Sequence, residues 1–133
     1  MTLFQLLLLF VAAIFAFIVL RPLLFSGKRL SVAEAQAKLD AGTAVLVDVR
    51  EPGEWAAGVA ASAALLPVSD LLGERRKWKP FLAANKGKEI LLYCASGIRS
   101  ANAAMVLRKQ GFQAANVGSF HRWAGAGLPT RKP

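Results

Sequence analysis

The sequence predicts an α/β domain built on a mainly parallel central sheet flanked by helices, preceded by one N-terminal transmembrane helix. Three observations carry that expectation. Residues 1–20 hold no charged side chain, and Gln5 is their one strongly polar residue. Apolar runs of strand length, Ala44–Val47, Glu89–Tyr93 and Ala114–Val117, alternate with helix-like stretches, the pattern of a parallel sheet with covering helices. One of those runs ends in Cys94, a tight turn and a further helix. Sites in such sheets form at the carboxyl ends of strands.

The N-terminal run from Leu3 to Leu20 is long enough to cross most of a bilayer, which takes roughly 17–25 residues. Leu23, Leu24 and Phe25 extend it past Arg21, whose long side chain can snorkel to the interface. A cleaved signal peptide would need a positive leading region, a shorter apolar core and a small-residue cleavage site. Only Met1-Thr2 precede the run. A retained anchor over 1–25, a linker over 26–30 and a folded domain over 31–133 are therefore expected. Arg21, Lys28 and Arg29 follow the span and no acidic residue appears before Glu34. The positive-inside rule places that side in the cytoplasm, so the domain is expected on the cytoplasmic face of the inner cell membrane.

Charge and cysteine usage fit this picture. The net charge is +9, and leaving out Arg21, Lys28 and Arg29 still leaves +6. A basic domain beside an anionic leaflet lies close to it and attracts small anions. The basic residues come with no recognisable nucleic-acid motif, so no nucleic-acid partner is expected. The single cysteine excludes an intrachain disulfide and argues against a multi-cysteine metal site.

After the linker, Ser31-Val32-Ala33-Glu34 is a capping-box pattern opening a short helix, with Ala33, Ala37 and the Val32/Gln36/Leu39 region as its packing positions and Gly42 at its end. Ala44–Val47 reads as a strand buried on both faces. Asp48-Val49-Arg50-Glu51-Pro52 ends it in a charged loop, and Gly53 to Gly58 is a turn or short helix carrying Trp55. Ala64–Pro67 is a candidate short strand. Ser69-Asp70 can cap a helix running through Leu71, Leu72, Arg75 and Trp78, broken or kinked by Pro80. The basic run from Arg75 to Lys79 reads as a solvated helix face, with the bilayer or an acidic partner as the sharper alternative. Lys86-Gly87-Lys88 leads into the strand from Glu89. The helix Ser100–Gln110 packs through Ala104, Val106 and Leu107 and stops at Gly111. Ala114–Val117 is the last strand, followed by a helix Ser119–Ala124 and a tail. Trp55 and Trp123 read as core residues rather than ligand platforms.

The chemistry concentrates in Cys94-Ala95-Ser96-Gly97-Ile98-Arg99-Ser100. A lone Cys closing a buried strand behaves on its own as a small hydrophobe. Here a strand–turn–helix loop can aim several N–H groups at one spot, and the helix N-terminus adds partial positive charge. A thiol there is pushed towards thiolate. Arg99 at a helix N-terminus opposes the macrodipole, which makes sense if an anion occupies the loop. The only histidine, His121, lies far along the chain, and a thiolate held by amides and Arg99 does not need it.

Several motifs in order resemble the rhodanese family. They are Asp48-Val49-Arg50-Glu51-Pro52-Gly53-Glu54-Trp55 with Gly58, the Cys94–Ser100 loop, and Gly118 to Trp123 with Gly127-Leu128-Pro129. An N-terminal anchor before one such domain resembles membrane-tethered single-domain rhodaneses of bacteria. The resemblance implies a rhodanese-like fold and a sulfurtransferase. In this reading Cys94 is the nucleophile and persulfide carrier, and Arg99 helps bind the anionic donor. The amides of Ala95, Ser96, Gly97, Ile98 and Ser100 cradle the sulfur, and Asp48 and Arg50 fix the loop nearby. The donor would be thiosulfate or a persulfide and the acceptor a thiol, with a membrane protein or sulfur-acceptor protein as a further partner. No metal or organic cofactor is implied. Cysteine phosphatases of the Cdc25 type share the fold but carry one more residue between Cys and Arg than the four found here, Ala95 to Ile98. The shorter loop suits a sulfur atom better than a phosphate. A binding or sulfur-relay module with little turnover is the other alternative. The family's usual His after the glycine is absent at Gly58-Val59, and Gly118-Ser119 stands where Gly-Gly is usual.

Overall fold

The computed structural model describes residues 1–25 and 29–133. Residues 26–28 of the expected linker, with Lys28, lie outside the described residues, as does the side chain of Arg21. Helix α1 spans Leu3–Phe25. Its segment Leu3–Leu20 has a mean hydropathy of 3.0 and none of it is buried, so it is long and apolar enough to cross a membrane. A helix apolar on every face has no polar side to present to water.

The remaining chain forms a layered α/β unit. In order it contains α2 (Val32–Asp40), β1 (Ala44–Asp48), a 3-10 turn (Pro52–Glu54), β2 (Val59–Ala60) and β3 (Ala64–Leu65). Then come α3 (Val68–Leu72), α4 (Trp78–Ala84), β4 (Glu89–Cys94), α5 (Ile98–Lys109), β5 (Ala114–Ser119), α6 (Phe120–Gly125) and β6 (Thr130–Arg131). The sheet order is β3-β1-β4-β5, and every neighbouring pair is parallel. β2 and β6 make a separate antiparallel pair that ties the C-terminal tail back to the domain.

Alternation along the central strand explains the two layers. Successive strand side chains point to opposite faces. Ile90, Leu92 and Cys94 face a core with Val47, Trp78, Ala104 and Leu107. Leu91 and Tyr93 face a second core with Ala35, Leu46, Val117 and Trp123. Both faces are thus covered, as a parallel sheet requires. Cys94 lies on the face covered by α5, the helix that its own loop begins.

Several elements differ from the sequence reading. The helix expected through Ser69–Trp78 is two helices. The chain turns at Gly73–Lys77, with Arg75 in a left-handed conformation (φ 58°). The Asp70 carboxylate pulls the break closed, accepting the N–H groups of Arg76 (2.9 Å), Lys77 (3.0 Å) and Trp78 (3.1 Å). This caps α4, and Pro80 falls in its first turn, where a missing N–H costs no helix bond. The basic run is therefore mostly a turn, while Trp78 is fully buried and donates its indole N–H to the Pro67 carbonyl (3.0 Å). In α2, Ser31 accepts the Glu34 N–H as expected, but Ala35 is the buried residue and Ala33 and Ala37 are exposed. Helix α5 begins two residues early because Gly97 (φ 93°) serves as its N-cap. β5 runs two residues further than expected, to Ser119, and the two-residue strands β2 and β6 have no counterpart in the sequence pattern.

Candidate active site

The carboxyl ends of β1, β4 and β5 bring the site together. Cys94 is the last residue of β4 and its side chain is completely buried. Its sulfur receives the Gly97 N–H at 3.0 Å and lies 3.3 Å from the Ser100 hydroxyl. Gly97 can turn the backbone back over the sulfur because it sits in the left-handed region, which glycine enters without penalty. Helix α5 then points its first amides, which have no intrahelical carbonyl, towards the same place. Burial pushes the Cys94 thiol up. The Ser100 hydroxyl and the N–H groups of Ser100, Gly97 and Ser96 outweigh it, so the thiol is held below its ordinary value. Ala95, Ser96 and Ile98 form the exposed rim of the loop, and Gly97 and Ser100 its buried floor.

Asn116 braces this loop from the next strand. Its Oδ1 accepts the Ser100 hydroxyl at 2.7 Å and the Gly118 N–H at 3.0 Å, and its Nδ2 donates to the Gly97 carbonyl at 3.1 Å. A register shift makes this possible. Leu92 pairs with Asn116 but Tyr93 pairs with Gly118, so Val117 is the extra residue of a bulge. Gly118 (φ 103°) then packs so closely under the loop that a Cβ on Gly97 would lie 3.3 Å from the Gly118 Cα. The Ser100 hydroxyl has one proton and more than one acceptor. With a neutral thiol it bonds Asn116, and the sulfur can take it when the thiolate forms.

Asp48 and Arg50 lie behind the loop, both buried. The guanidinium grips the carboxylate through Nε (3.1 Å) and Nη2 (2.7 Å). It also donates to two carbonyls of the following loop, Glu54 at 3.1 Å and Gly58 at 2.8 Å. The same cation lies 4.6 Å from the Phe120 ring centroid and 5.8 Å from that of Tyr93, within cation–π range. Burial opposes the Arg50 charge, but Asp48 prevails and its pKa is raised. No hydrogen bond to Cys94 comes from this pair, which shapes the loop from Glu51 to Gly58.

That loop delivers Glu54, which, like Asn116, is a site residue that sequence reasoning does not single out. Arg99 Nη1 and Nη2 donate to the two Glu54 oxygens at 2.7 and 2.8 Å. Each side chain is about one-third exposed, at 35%. The Arg99 bonds, and then the Glu51 N–H, hold the Glu54 carboxyl down at about 2. Arg99 is raised in turn, first by Glu54, against burial, and in smaller part by the negative charge of a Cys94 thiolate. Arg99 is therefore near the sulfur but partnered. Two signals in the chain pointed to Glu54: it lies inside the first motif, and it follows Glu51 by three residues, the spacing of a capping box that the structure contains.

His121 is exposed on α6, and no hydrogen bond links it to Cys94. Trp123 is buried and donates to the Pro129 carbonyl at 3.2 Å, whereas Trp55 is only half-buried. Among the described residues no group of three or more His, Cys, Asp or Glu side chains is placed to hold a metal ion.

The family model described as Rhodanese-like domain matches residues 31–126. The chain belongs to the rhodanese-like domain family. Solved structures agree. A rhodanese-related protein from Thermoplasma volcanium superposes with a TM-score of 0.66 at 28% identity, over 80% of this chain and 99% of that one. A human single-domain sulfurtransferase superposes with a TM-score of 0.57 at 27% identity, over 73% of this chain and 95% of that one. Among curated relatives, the tRNA uridine(34) hydroxylase of Cronobacter sakazakii is 33% identical over 87 residues, 65% of this chain. That match spans only 25% of the hydroxylase, so the chain corresponds to about a quarter of that relative's length. The rhodanese-like family includes sulfurtransferases, and the missing His after Gly58 leaves the fold intact.

Proposed function

We propose that this chain is a sulfurtransferase that carries sulfane sulfur on Cys94, anchored in the inner membrane by residues 1–25 with its domain facing the cytoplasm. The observation that carries the reading is the Cys94 sulfur held by the Gly97 N–H and the Ser100 hydroxyl, donors that favour the thiolate. In the first half-reaction the thiolate attacks the outer sulfur of thiosulfate. A new S–S bond forms to Cys94, and sulfite leaves with the electron pair of the broken S–S bond. In the second, an acceptor thiolate attacks the outer sulfur of the persulfide and Cys94 departs as thiolate. The amides from Ala95 to Ser100 receive the charge that builds on the persulfide, and Arg99 attracts the dianionic donor. A persulfide donor fits the same scheme. The four residues between Cys94 and Arg99 make a cradle suited to sulfur rather than to a phosphate group.

The test uses the full chain in neutral detergent with thiosulfate, read by intact mass. Wild type should gain one sulfur, Cys94→Ser none, and Arg99→Ala should load about tenfold more slowly. If wild type takes sulfur from neither thiosulfate nor an organic persulfide, the enzyme reading fails. Complete burial of Cys94 favours a second reading, a relay that loads and unloads only when a partner opens the loop. Rapid multiple turnover with thiosulfate and a small thiol would eliminate it. A C-terminal reporter active only outside the cytoplasm would overturn the orientation.

A further inference from the structure

Beside the sulfur loop, the domain gathers a second set of cations that the sulfur chemistry does not use. A Cβ on Gly118 would lie 3.0 Å from Arg29 Cδ, 3.1 Å from Arg29 Nη1 and 3.7 Å from Arg122 Nη1. The two guanidinium groups thus reach one point from opposite ends of the domain, Arg29 just before α2 and Arg122 within α6. Main-chain contacts hold both in place. The Leu30 N–H donates to the Asn116 carbonyl at 2.9 Å, which runs the segment along the free edge of β5. The Ser119 hydroxyl accepts the Arg122 N–H at 3.1 Å and sets the start of α6.

Among the described residues neither guanidinium has a carboxylate partner. The ion pairs among the described residues join Lys38 to Glu89, Arg50 to Asp48, Arg76 to Glu74 and Arg99 to Glu54. No hydrogen bond engages the guanidinium of Arg29 or of Arg122 among the described residues. Two cations this close lie well inside a Debye length of about 10 Å and repel one another. The glycine between them leaves a notch where any side chain would press on Arg29.

The geometry points to an oxyanion site formed by Arg29 and Arg122 over Gly118, for a phosphate- or sulfate-type group with several oxygens. Guanidinium forks match that geometry, and a single dianion between two forks removes their repulsion. The group can be a free anion or the phosphate of an anionic lipid, because Arg29 follows the end of α1 by four residues. The site is separate from the Cys94 cradle, whose arginine is already paired with Glu54.

The test is thermal stabilisation of the full chain by sulfate and by inorganic phosphate, at constant ionic strength set with chloride. In neutral detergent, wild type should show a saturable rise in Tm, and Arg29→Gln/Arg122→Gln should need roughly tenfold more anion for the same rise. Lys79→Gln, a cation removed elsewhere, should behave as wild type. Repeating the titration in nanodiscs with and without phosphatidylglycerol separates the sources. If the lipid abolishes the sulfate response of wild type, a headgroup fills the site; if the response persists, the ligand is the free anion. Equal responses of wild type and the double variant in detergent would overturn the site. Sulfur loading of Cys94 is read separately by mass, so failure here leaves the sulfurtransferase reading standing, and the reverse.

Discussion

Two arginine–carboxylate pairs of similar geometry and opposite setting each take one partner from the loop after β1. Asp48–Arg50 is closed off, with side-chain exposures of 0% and 7%. Glu54–Arg99 is 35% exposed on each side. Both are two-point contacts near 2.7–2.8 Å at their shortest. The difference lies in what surrounds them. Arg50 spends its remaining donors on backbone carbonyls, and every neighbour it touches belongs to the frame. Arg99 has its pair one-third in water and the Cys94 sulfur close by. A buried pair cannot exchange partners without stranding a charge in a poor dielectric. A partly exposed one exchanges at little cost. The same chemical contact is thus a rivet in one place and a replaceable partner in the other.

The largest effect should come from breaking the rivet. Arg50→Ala leaves the Asp48 carboxylate buried and unpaired, at a cost of about 3–5 kcal/mol. We expect a Tm drop of roughly 15 °C or more by calorimetry. A drop of only a few degrees would mean that Asp48 is relieved some other way and that the two pairs are alike.

Next comes the neutral brace. Asn116→Ala removes the partner of the Ser100 hydroxyl, the Gly118 N–H and the Gly97 carbonyl, for about 2–3 kcal/mol of destabilisation. Because these bonds close the loop over Cys94, the variant's cysteine should also react faster with iodoacetamide under native conditions. An unchanged alkylation rate would show that Asn116 does not control access to the sulfur.

The smallest change in stability belongs to the exposed pair. Glu54→Gln should cost less than about 1 kcal/mol in a denaturant titration. It should nevertheless free Arg99 and lower the thiosulfate concentration needed for half-maximal loading of Cys94; a higher requirement would make Glu54 an essential support for Arg99. The pH dependence gives a finer check. Glu54 ionises at about 2 in the folded chain against an ordinary 4.5, so the unfolded chain binds more protons in between. Its contribution is complete above pH 4.5 and fades as pH falls towards 2. The stability gap between wild type and Glu54→Gln should therefore shrink over that window. A gap constant from pH 5 to 3 would contradict the pairing.

Much of the fold could be read locally because local rules govern it. Ile90 to Cys94 alternate between two cores, so a run apolar on both faces identifies a covered strand. Ser31 and Glu34 mark the start of α2 by their own hydrogen bond. Reading failed where a distant or unusual contact decides. Asp70 caps a helix that begins eight residues later, across a turn with Arg75 at positive φ, a stretch whose periodicity reads as one helix. β2 and β6 are two residues each and exist only because the tail returns to pair with the loop after Gly58.

The site divides in the same way. Cys94, Gly97 and Ser100 sit within one turn of chain, and the strand–turn–helix pattern by itself determines that their donors converge on the sulfur. Asp48 and Arg50 are two residues apart, and their carboxylate–guanidinium bond is equally local. What only the tertiary structure decided is the company these residues keep. Glu54 meets Arg99 across 45 residues, Asn116 reaches Gly97 across 19, and Arg29 meets Arg122 above a glycine that a strand bulge turns into place. Sequence spacing carries no record of such meetings, because the parallel sheet aligns the ends of β1, β4 and β5 only after the apolar faces of all three strands have been buried together.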